Sequence, residues 1–475
     1  MTVDSPRNLN AFDLNIGKVL EHWTVAFAIR EVIANALDEA ALTATAEPVI
    51  SRAPDGSWHI RDFGRGLRYS HLTQNENAEK RRHPDVVGQF GMGLKDALAT
   101  FDRRGVGVTL RSRHGDITTG KHGKAGNFSD VITLHALVQP PSDTTMIGTD
   151  VRLVGITDAQ IAEAKKLFLR YSDEVILEQT RYGHVLQKPA NHGTGRVYVK
   201  GLLVAEEPNF LFSYNITDIN APLRRALNRE RSNVGRTAYA DRVKKILIEC
   251  TAADVARPLA EDLAAFTSGR QRDELGWTDV AVHACRVLQS REKVLFVTAW
   301  QLAAGSAQLQ YAQGDGYRLV TVPDDIARRL GSLTDLSGQP LIDLGRYRQE
   351  WNDSFEYSFV PPQELTPDEQ HILASTHRLL HLAGGSRAAK LVTQVRVSET
   401  MRMSEAGDMV LGTWESTEGT VVIRRSELAA LDRFASTLLH EYTHASSGHD
   451  DRTLEFESAL STMLGRAAAA AISSE

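Results

Sequence analysis

Towards the C-terminus, the run Leu431-Asp-Arg-Phe434-Ala-Ser-Thr-Leu438-Leu-His440-Glu441-Tyr-Thr-His444 sets two histidines four residues apart with a glutamate after the first. A chain of this length with 16 histidines should contain such a pattern by chance about 0.03 times, so accident explains it poorly. Leu431, Phe434 and Leu438 recur at helical spacing. His440 and His444 then lie one turn apart on one face, where two imidazoles can hold one Zn2+. Glu441 is placed to take a proton from metal-bound water, whose pKa zinc lowers to about 7. The chemistry implied is metal-assisted hydrolysis of a peptide bond.

A third ligand is required. On the helix expected from about Arg452, the apolar stripe is Phe456, Leu460, Met463 and Leu464. Glu457 points roughly 60° from the centre of that stripe and Glu455 roughly 140°. A carboxylate edging a buried face is costly unless a partner such as a metal receives it, which favours Glu457. His449, Asp450 and Asp451 are the alternatives. Tyr442 points off the metal face and reads as packing. The stretch GTVVIRRSEL just upstream reads as a strand that could pair with an extended peptide by strand addition. The arrangement resembles that of the gluzincin metallopeptidases, with a shorter gap to the third ligand; the metzincin spacing fails, because it needs a histidine six residues after His444, whereas Gly448 and His449 come at four and five.

A second constellation occupies the N-terminal third. In AFAIREVIANALDEA, Ala26 to Ala40, the residues Ile29, Val32, Ile33, Ala36 and Leu37 share one helical face, and Glu31, Asn35 and Asp38 gather opposite. Alone, that is a solvated polar face. Strand-like SWHIRDF then runs into Asp62-Phe-Gly64-Arg-Gly66. Further on, Gly88-Gln-Phe-Gly91-Met-Gly93-Leu-Lys95 opens a helix expected over Leu94 to Phe101, and Gly148-Thr149-Asp150 begins another strand. Glycines just before a helix let bare N–H groups approach phosphate oxygens, and the helix N-terminus adds positive potential.

These four elements, in this order, resemble the GHKL ATPases, whose nucleotide-binding layer is the Bergerat fold. REVIANALDEA resembles the family's Glu-x-x-x-Asn box, and VGQFGMGLKDAL its chaperone and MORC glycine boxes. The likeness covers roughly residues 10–155 and extends more faintly to about 250. It implies ATP as ligand. Glu31 would activate the water attacking the γ-phosphate, and Asn35, on the face it shares with Asp38, would hold Mg2+. Asp62 would accept a hydrogen bond from the adenine amino group, with Thr149 supporting it through water. Gly64 and Gly66 would leave room for the base, while Gly88, Gly91 and Gly93 cradle the phosphates. Lys95 is either a cation near the phosphates or an exposed helix lysine. Leu67 to Val87, with Arg81, Arg82 and His83, would be the lid.

The elements that must carry these sites divide the chain into 1–155, an ATP-binding domain; 156–290, a transducer-like domain; 291–362, a small α/β segment and connector; and 363–475, a metallopeptidase-like domain. The fold class expected is α+β and multidomain: a Bergerat layer, a transducer-like α/β domain and a zincin-like domain. Gly195 to Glu206 alternates as strands and turns at Lys200-Gly201. Leu227-Asn228-Arg229-Glu230 resembles the chaperone loop whose arginine reaches the γ-phosphate; Arg229 is the first choice and Arg231 the second, against a plain surface cluster. The stretch Asp335 to Pro362 reads as connector.

Composition agrees with a soluble globular protein: 42% hydrophobic, 24% charged and a net charge of −6. That balance argues against a broad nucleic-acid surface. Two cysteines, Cys250 and Cys285, give neither a disulfide framework nor a cysteine zinc knuckle. No signal peptide or long apolar run is visible, so a cytoplasmic protein is expected. The function expected is an ATPase whose nucleotide state regulates a zinc peptidase acting on protein or peptide, as an ATP-dependent homodimer. The alternative is a chaperone-like or MORC/MutL-like remodelling ATPase whose zinc site is structural or inert. Coupling a switch to a protease suggests, by analogy alone, stress or phage defence.

Overall fold

A computed structural model describes residues 10–14, 23–73, 86, 93–123, 131–189, 193–229, 234–265 and 272–473. The chain is α+β with four sheets and separates into two compact units, Met1–Asp262 with Gln271–Ala284, and Leu263–Arg270 with Cys285–Glu475. Among the described residues no helix is long and apolar enough to cross a membrane.

The first unit opens with a seven-stranded antiparallel sheet. Its strands are β1 (Asn10–Asp13), β2 (Val49–Arg52), β3 (Trp58–Arg61), β4 (Gly107–Ser112), β5 (Gly115–Gly123), β6 (Ile132–Gln139) and β7 (Thr149–Val154), in the order β1-β6-β5-β4-β7-β3-β2. Val108, Leu110 and Ser112 alternate inward along β4, the period of two that gives a strand one buried face. On that core lie the helices Val25–Thr43 and Gly93–Arg103, packed against each other. Ile29, Val32, Ile33, Leu98 and Phe101 are buried with Ile60, Leu110 and Leu153, and each such side chain contributes about 1.5–3 kcal/mol. The helix Asp158–Lys166 packs on Val25–Thr43 and adds Ile161 and Ala164 to the same core.

A five-stranded sheet follows in this unit: β8 (Val175–Thr180), β9 (Gly183–Gln187), β10 (Gly195–Val199), β11 (Leu202–Glu207) and β12 (Ser213–Ile216), ordered β11-β10-β12-β9-β8. The β10–β11 turn falls at Lys200 and Gly201, both at positive φ (48° and 80°). The helix Arg236–Glu249 packs on β9 and β12.

The second unit begins with parallel strands β13 (Val294–Val297) and β14 (Arg318–Thr321), joined through two short helices. The stretch read as connector carries a helix, Leu344–Asp353, whose Tyr347 is buried with Leu295 and Leu309. A single aromatic face on ten residues was too short a period to stand out beside its flanking Gly and Pro. The last sheet comprises β15 (Gln394–Ser398), β16 (Gly412–Glu415) and β17 (Thr420–Arg424), in the order β15-β17-β16. The helix Leu431–Ser447 lies against β16 and β17, and Leu454–Ser473 packs on it and on Thr376–Gly384.

Candidate functional sites

The polar face of the helix Val25–Thr43 is not solvated: Glu31 and Asp38 are buried and Asn35 is half-buried. Thr24 caps the helix by accepting from the Phe27 N–H. The Asn35 amide donates to the Glu31 carbonyl at 2.9 Å. Beside Glu31 lies a residue the motif does not contain. Arg30 is wholly buried, and its Nε and a terminal nitrogen both donate to Glu31 Oε1, at 3.1 and 2.6 Å. The guanidinium lies over the rings of Trp23 and Phe27.

Asp62 follows β3 and Thr149 begins the neighbouring β7. Asp62 Oδ1 accepts from the N–H of Gly64 at 2.9 Å and of Thr149 at 3.2 Å. Thr149 Oγ1 also accepts from the Leu67 N–H, and Ser112 donates to the Leu67 carbonyl, so the whole turn is stitched to β4 and β7. Gly148, at φ 80°, is required: a Cβ there would sit 2.0 Å from the Asp62 carbonyl oxygen. The helix reaches this turn through Glu39, which accepts from the backbone and side chain of Arg65 at 2.9 Å and lies where a Gly64 Cβ would be.

Glu31, Asn35 and Asp38 therefore lie on the helix, and Asp62, Gly64, Gly66 and Thr149 on the turn and sheet that the helix meets through Glu39. Gly93 starts the neighbouring helix, with Lys95 half-buried in its first turn. Gly88, Gly91, Arg231 and the lid residues Arg81, Arg82 and His83 lie outside the described residues. So does the side chain of Arg229, at the end of the helix Ala221–Arg229.

Burial raises the Asp62 pKa above the usual carboxylate range, against the hydrogen bonds from Gly64 and Thr149 that lower it. An adenine amino group would donate to the ionised form. Nucleotide affinity is therefore expected to fall as pH drops from 7.5 to 5, starting above the range in which an exposed aspartate titrates. Equilibrium binding of ADP should show that slope in the wild type, and weak, flat binding in Asp62→Asn.

In the second unit, His440, His444 and Asp451 offer ligand atoms that all lie within 4.8 Å of one another. Asp451 Oδ1 is 3.0 Å from His440 Nε2 and 3.3 Å from His444 Nε2. The Nδ1 of His444 contacts the His449 carbonyl at 2.8 Å, which assigns its proton to Nδ1 and leaves Nε2 as the ligating atom. Burial lowers the pKa of His440, which favours the neutral, ligating form. Two imidazoles and a carboxylate fit Zn2+ in a site with an open position.

The cluster contains Asp451, one of the alternatives, and not Glu457, which is exposed. Its neighbour Phe456 is the residue turned inward, stacked on His444 with ring centroids 4.3 Å apart and set edgewise against His440. Asp451 comes back to the imidazoles because Gly448 (φ 69°) ends the helix in the left-handed conformation and Arg452 (φ 64°) bends the chain again. Asp451→Asn should weaken Zn2+ binding about 10–100-fold in chelator competition, and Glu457→Gln should leave it unchanged.

Glu441 is buried against Gly412 of β16, and burial raises its pKa to about 7. Tyr442 is buried in the core, as its packing role requires. The strand addition expected of GTVVIRRSEL is corrected: β17, which carries that sequence, is the central strand, and β16 is the edge beside the helix of His440 and His444.

Comparison with known proteins places residues 159–253 in a match to the family model of the Mycoplasma pneumoniae MPN635 N-terminal domain. Those residues take in the five-stranded sheet and the helices Ala221–Arg229 and Arg236–Glu249. An uncharacterized protein of Mycoplasma pneumoniae is 35% identical over 239 residues, which is 50% of this chain and 95% of that protein. A second uncharacterized protein of that organism is 22% identical over 344 residues, 68% of this chain and 96% of its own length.

Proposed function

We propose that this chain, which belongs to the family of the first of those Mycoplasma pneumoniae proteins, binds and hydrolyses ATP in its first unit and cleaves polypeptide in its second. The observation that carries the peptidase half is the convergence of His440, His444 and Asp451 one residue from a buried glutamate, beside an unpaired strand edge. Supporting the nucleotide half is a buried Asp62 fastened by two backbone N–H groups, in the same unit as a buried Glu31.

In this reading Asp62 and Thr149 fix the adenine, Asn35 holds Mg2+, and Glu31, held by Arg30, removes a proton from the water that attacks the γ-phosphate. The helix N-terminus at Gly93 supplies positive potential for phosphate. In the second unit His440, His444 and Asp451 would hold Zn2+, which when bound lowers the pKa of a coordinated water to about 7. An extended peptide pairs with β16, and Glu441 takes the proton of the attacking water and returns it to the leaving amine. Nucleotide state regulates this cleavage, with the chain closing as an ATP-dependent homodimer.

The test is cleavage of β-casein by zinc-loaded protein with ATP, ADP or a non-hydrolysable ATP analogue. Rates that differ between nucleotides support regulation; equal rates defeat it and leave both sites standing. Zn2+ and ATP bound with no cleavage of any polypeptide would favour a remodelling ATPase with a structural metal.

A further inference from the structure

Gly412 of β16 is a glycine that its own backbone does not need. It is not among the glycines at positive φ, so any residue could adopt its conformation. Space explains it better. A Cβ at Gly412 would stand 2.7 Å from Thr437 Cγ2, 2.8 Å from Glu441 Cγ and 3.1 Å from Glu441 Oε1, inside the ordinary contact distance of about 3.5 Å. Thr437 and Glu441 are one turn apart on one face of the helix Leu431–Ser447. The backbone of β16 is seated against both.

Thr437 cannot simply turn away. Its hydroxyl donates to Glu427 Oε2 at 3.3 Å, and Glu427 is itself buried, with Arg433 at 2.8 Å and Ser426 at 3.2 Å donating to Oε1. Rotating Thr437 to make room would strip a donor from a buried carboxylate, which is costly. The other side of β16 is open. It pairs with β17 as Gly412↔Ile423 and Thr413↔Val422, and one step earlier the Arg424 N–H donates to the Leu411 carbonyl at 2.9 Å. Antiparallel pairs alternate between hydrogen-bonded and non-hydrogen-bonded, so the N–H and C=O of Gly412 point to the free edge. No described strand pairs with that edge. One residue thus offers its backbone outwards and leaves room for Glu441 towards the helix.

We propose that Gly412 is a positioning residue for proteolysis: having no side chain, it lets the edge strand settle against Thr437 and Glu441 and so fixes a strand-bound peptide relative to the base. This rests on the peptidase reading and deepens it. A peptide added to β16 inherits the position of that strand, because ladder hydrogen bonds hold neighbouring strands about 4.8 Å apart. A side chain at 412 pushes β16, and the peptide with it, away from the helix that carries Glu441. General-base catalysis tolerates little of this, since the base must lie within about 2.6–3.2 Å of the proton it takes, directly or through one water. Metal binding is blind to the same change. His440, His444 and Asp451 belong to the helix and the loop after it, and none to β16. Glu427 acts one step further back, by holding the Thr437 side of the seat.

The test uses full-length, zinc-loaded protein and fluorescently labelled β-casein. In Gly412→Ala kcat is expected to fall about 10- to 100-fold, the cost of a misplacement near 1 Å, while KM stays within about threefold. Zn2+ affinity by chelator competition should stay within about twofold of wild type. Thr437→Ser removes Cγ2 and keeps the hydroxyl for Glu427; added to Gly412→Ala it should raise kcat again by about tenfold. Melting of the metal-free protein reads the same contact without substrate. Gly412→Ala should lower Tm by about 3–8 °C, and Thr437→Ser should cost less in that background than in wild type. Undiminished kcat in Gly412→Ala overturns the proposal, and so does a loss of kcat matched by an equal loss of Zn2+ affinity. Additive melting shifts with no recovery of kcat in the double variant overturn the seat at Thr437. Wild type that cleaves no casein, whatever the melting shows, overturns the peptidase reading and the role of Gly412 with it.

Discussion

Glu31→Gln is expected to lower the rate of ATP hydrolysis about 10²–10⁴-fold, the span that general-base catalysis supplies, while nucleotide still binds. The glutamine keeps an oxygen for the two nitrogens of Arg30 that now meet Oε1, so the loss falls on proton removal and leaves the architecture intact. Glu31→Ala is a harsher change. It strips one partner from a guanidinium that is 0% exposed and leaves it to its remaining contacts, among them the rings of Trp23 and Phe27. Breaking a buried pair from one side costs on the order of 3 kcal/mol, so the alanine variant should melt at lower temperature and the glutamine variant near wild type. Phosphate release, ADP titration and thermal melting of the two variants separate the effects. A glutamine variant with undiminished turnover would remove Glu31 from the chemistry.

What could be read from residues alone follows the range over which a pattern acts. The helices Val25–Thr43 and Leu431–Ser447 announce themselves because their apolar positions repeat within a few turns. Asp62 and Thr149 were legible as motif residues beside glycines, although they meet only through the pairing of β3 with β7. Glu39 and Arg30 were not singled out. Each sits next to a motif residue, and the burial of an arginine cannot be seen in a helical wheel that places it near a polar face.

The candidate metal site divides along the same line. Periodicity orders residues around one helix, so it handled His440 and His444 well. It had no purchase on Asp451, which is brought in by the left-handed Gly448 and Arg452 on either side of it. A place at the edge of an apolar stripe points Glu457 towards a buried face, yet the helix Leu454–Ser473 turns Phe456 inward and leaves that edge to solvent. Edge position is likewise a property of the whole sheet: nothing within GTVVIRRSEL says that β15 and β16 will flank it.

Glu441→Gln is expected to keep Zn2+ and lose proteolysis. The ligands His440, His444 and Asp451 are untouched, so metal content should match wild type, while β-casein cleavage falls about 10²–10⁴-fold for want of a base. A second readout guards against misfolding. Burial moves the Glu441 pKa from 4.5 to about 7, so the folded metal-free protein holds this proton more tightly than the unfolded chain does. The sign follows: the stabilising effect of that proton is complete below about pH 4.5 and is lost as pH rises through about 7. A permanently neutral glutamine escapes the loss. Metal-free Glu441→Gln should therefore equal wild type in stability near pH 4 and exceed it at pH 8, by at most about 3 kcal/mol. Inactivity together with that gain at high pH identifies a buried base removed from an intact fold. Inactivity with lower stability at every pH would mean that the side chain only braces β16 against the helix.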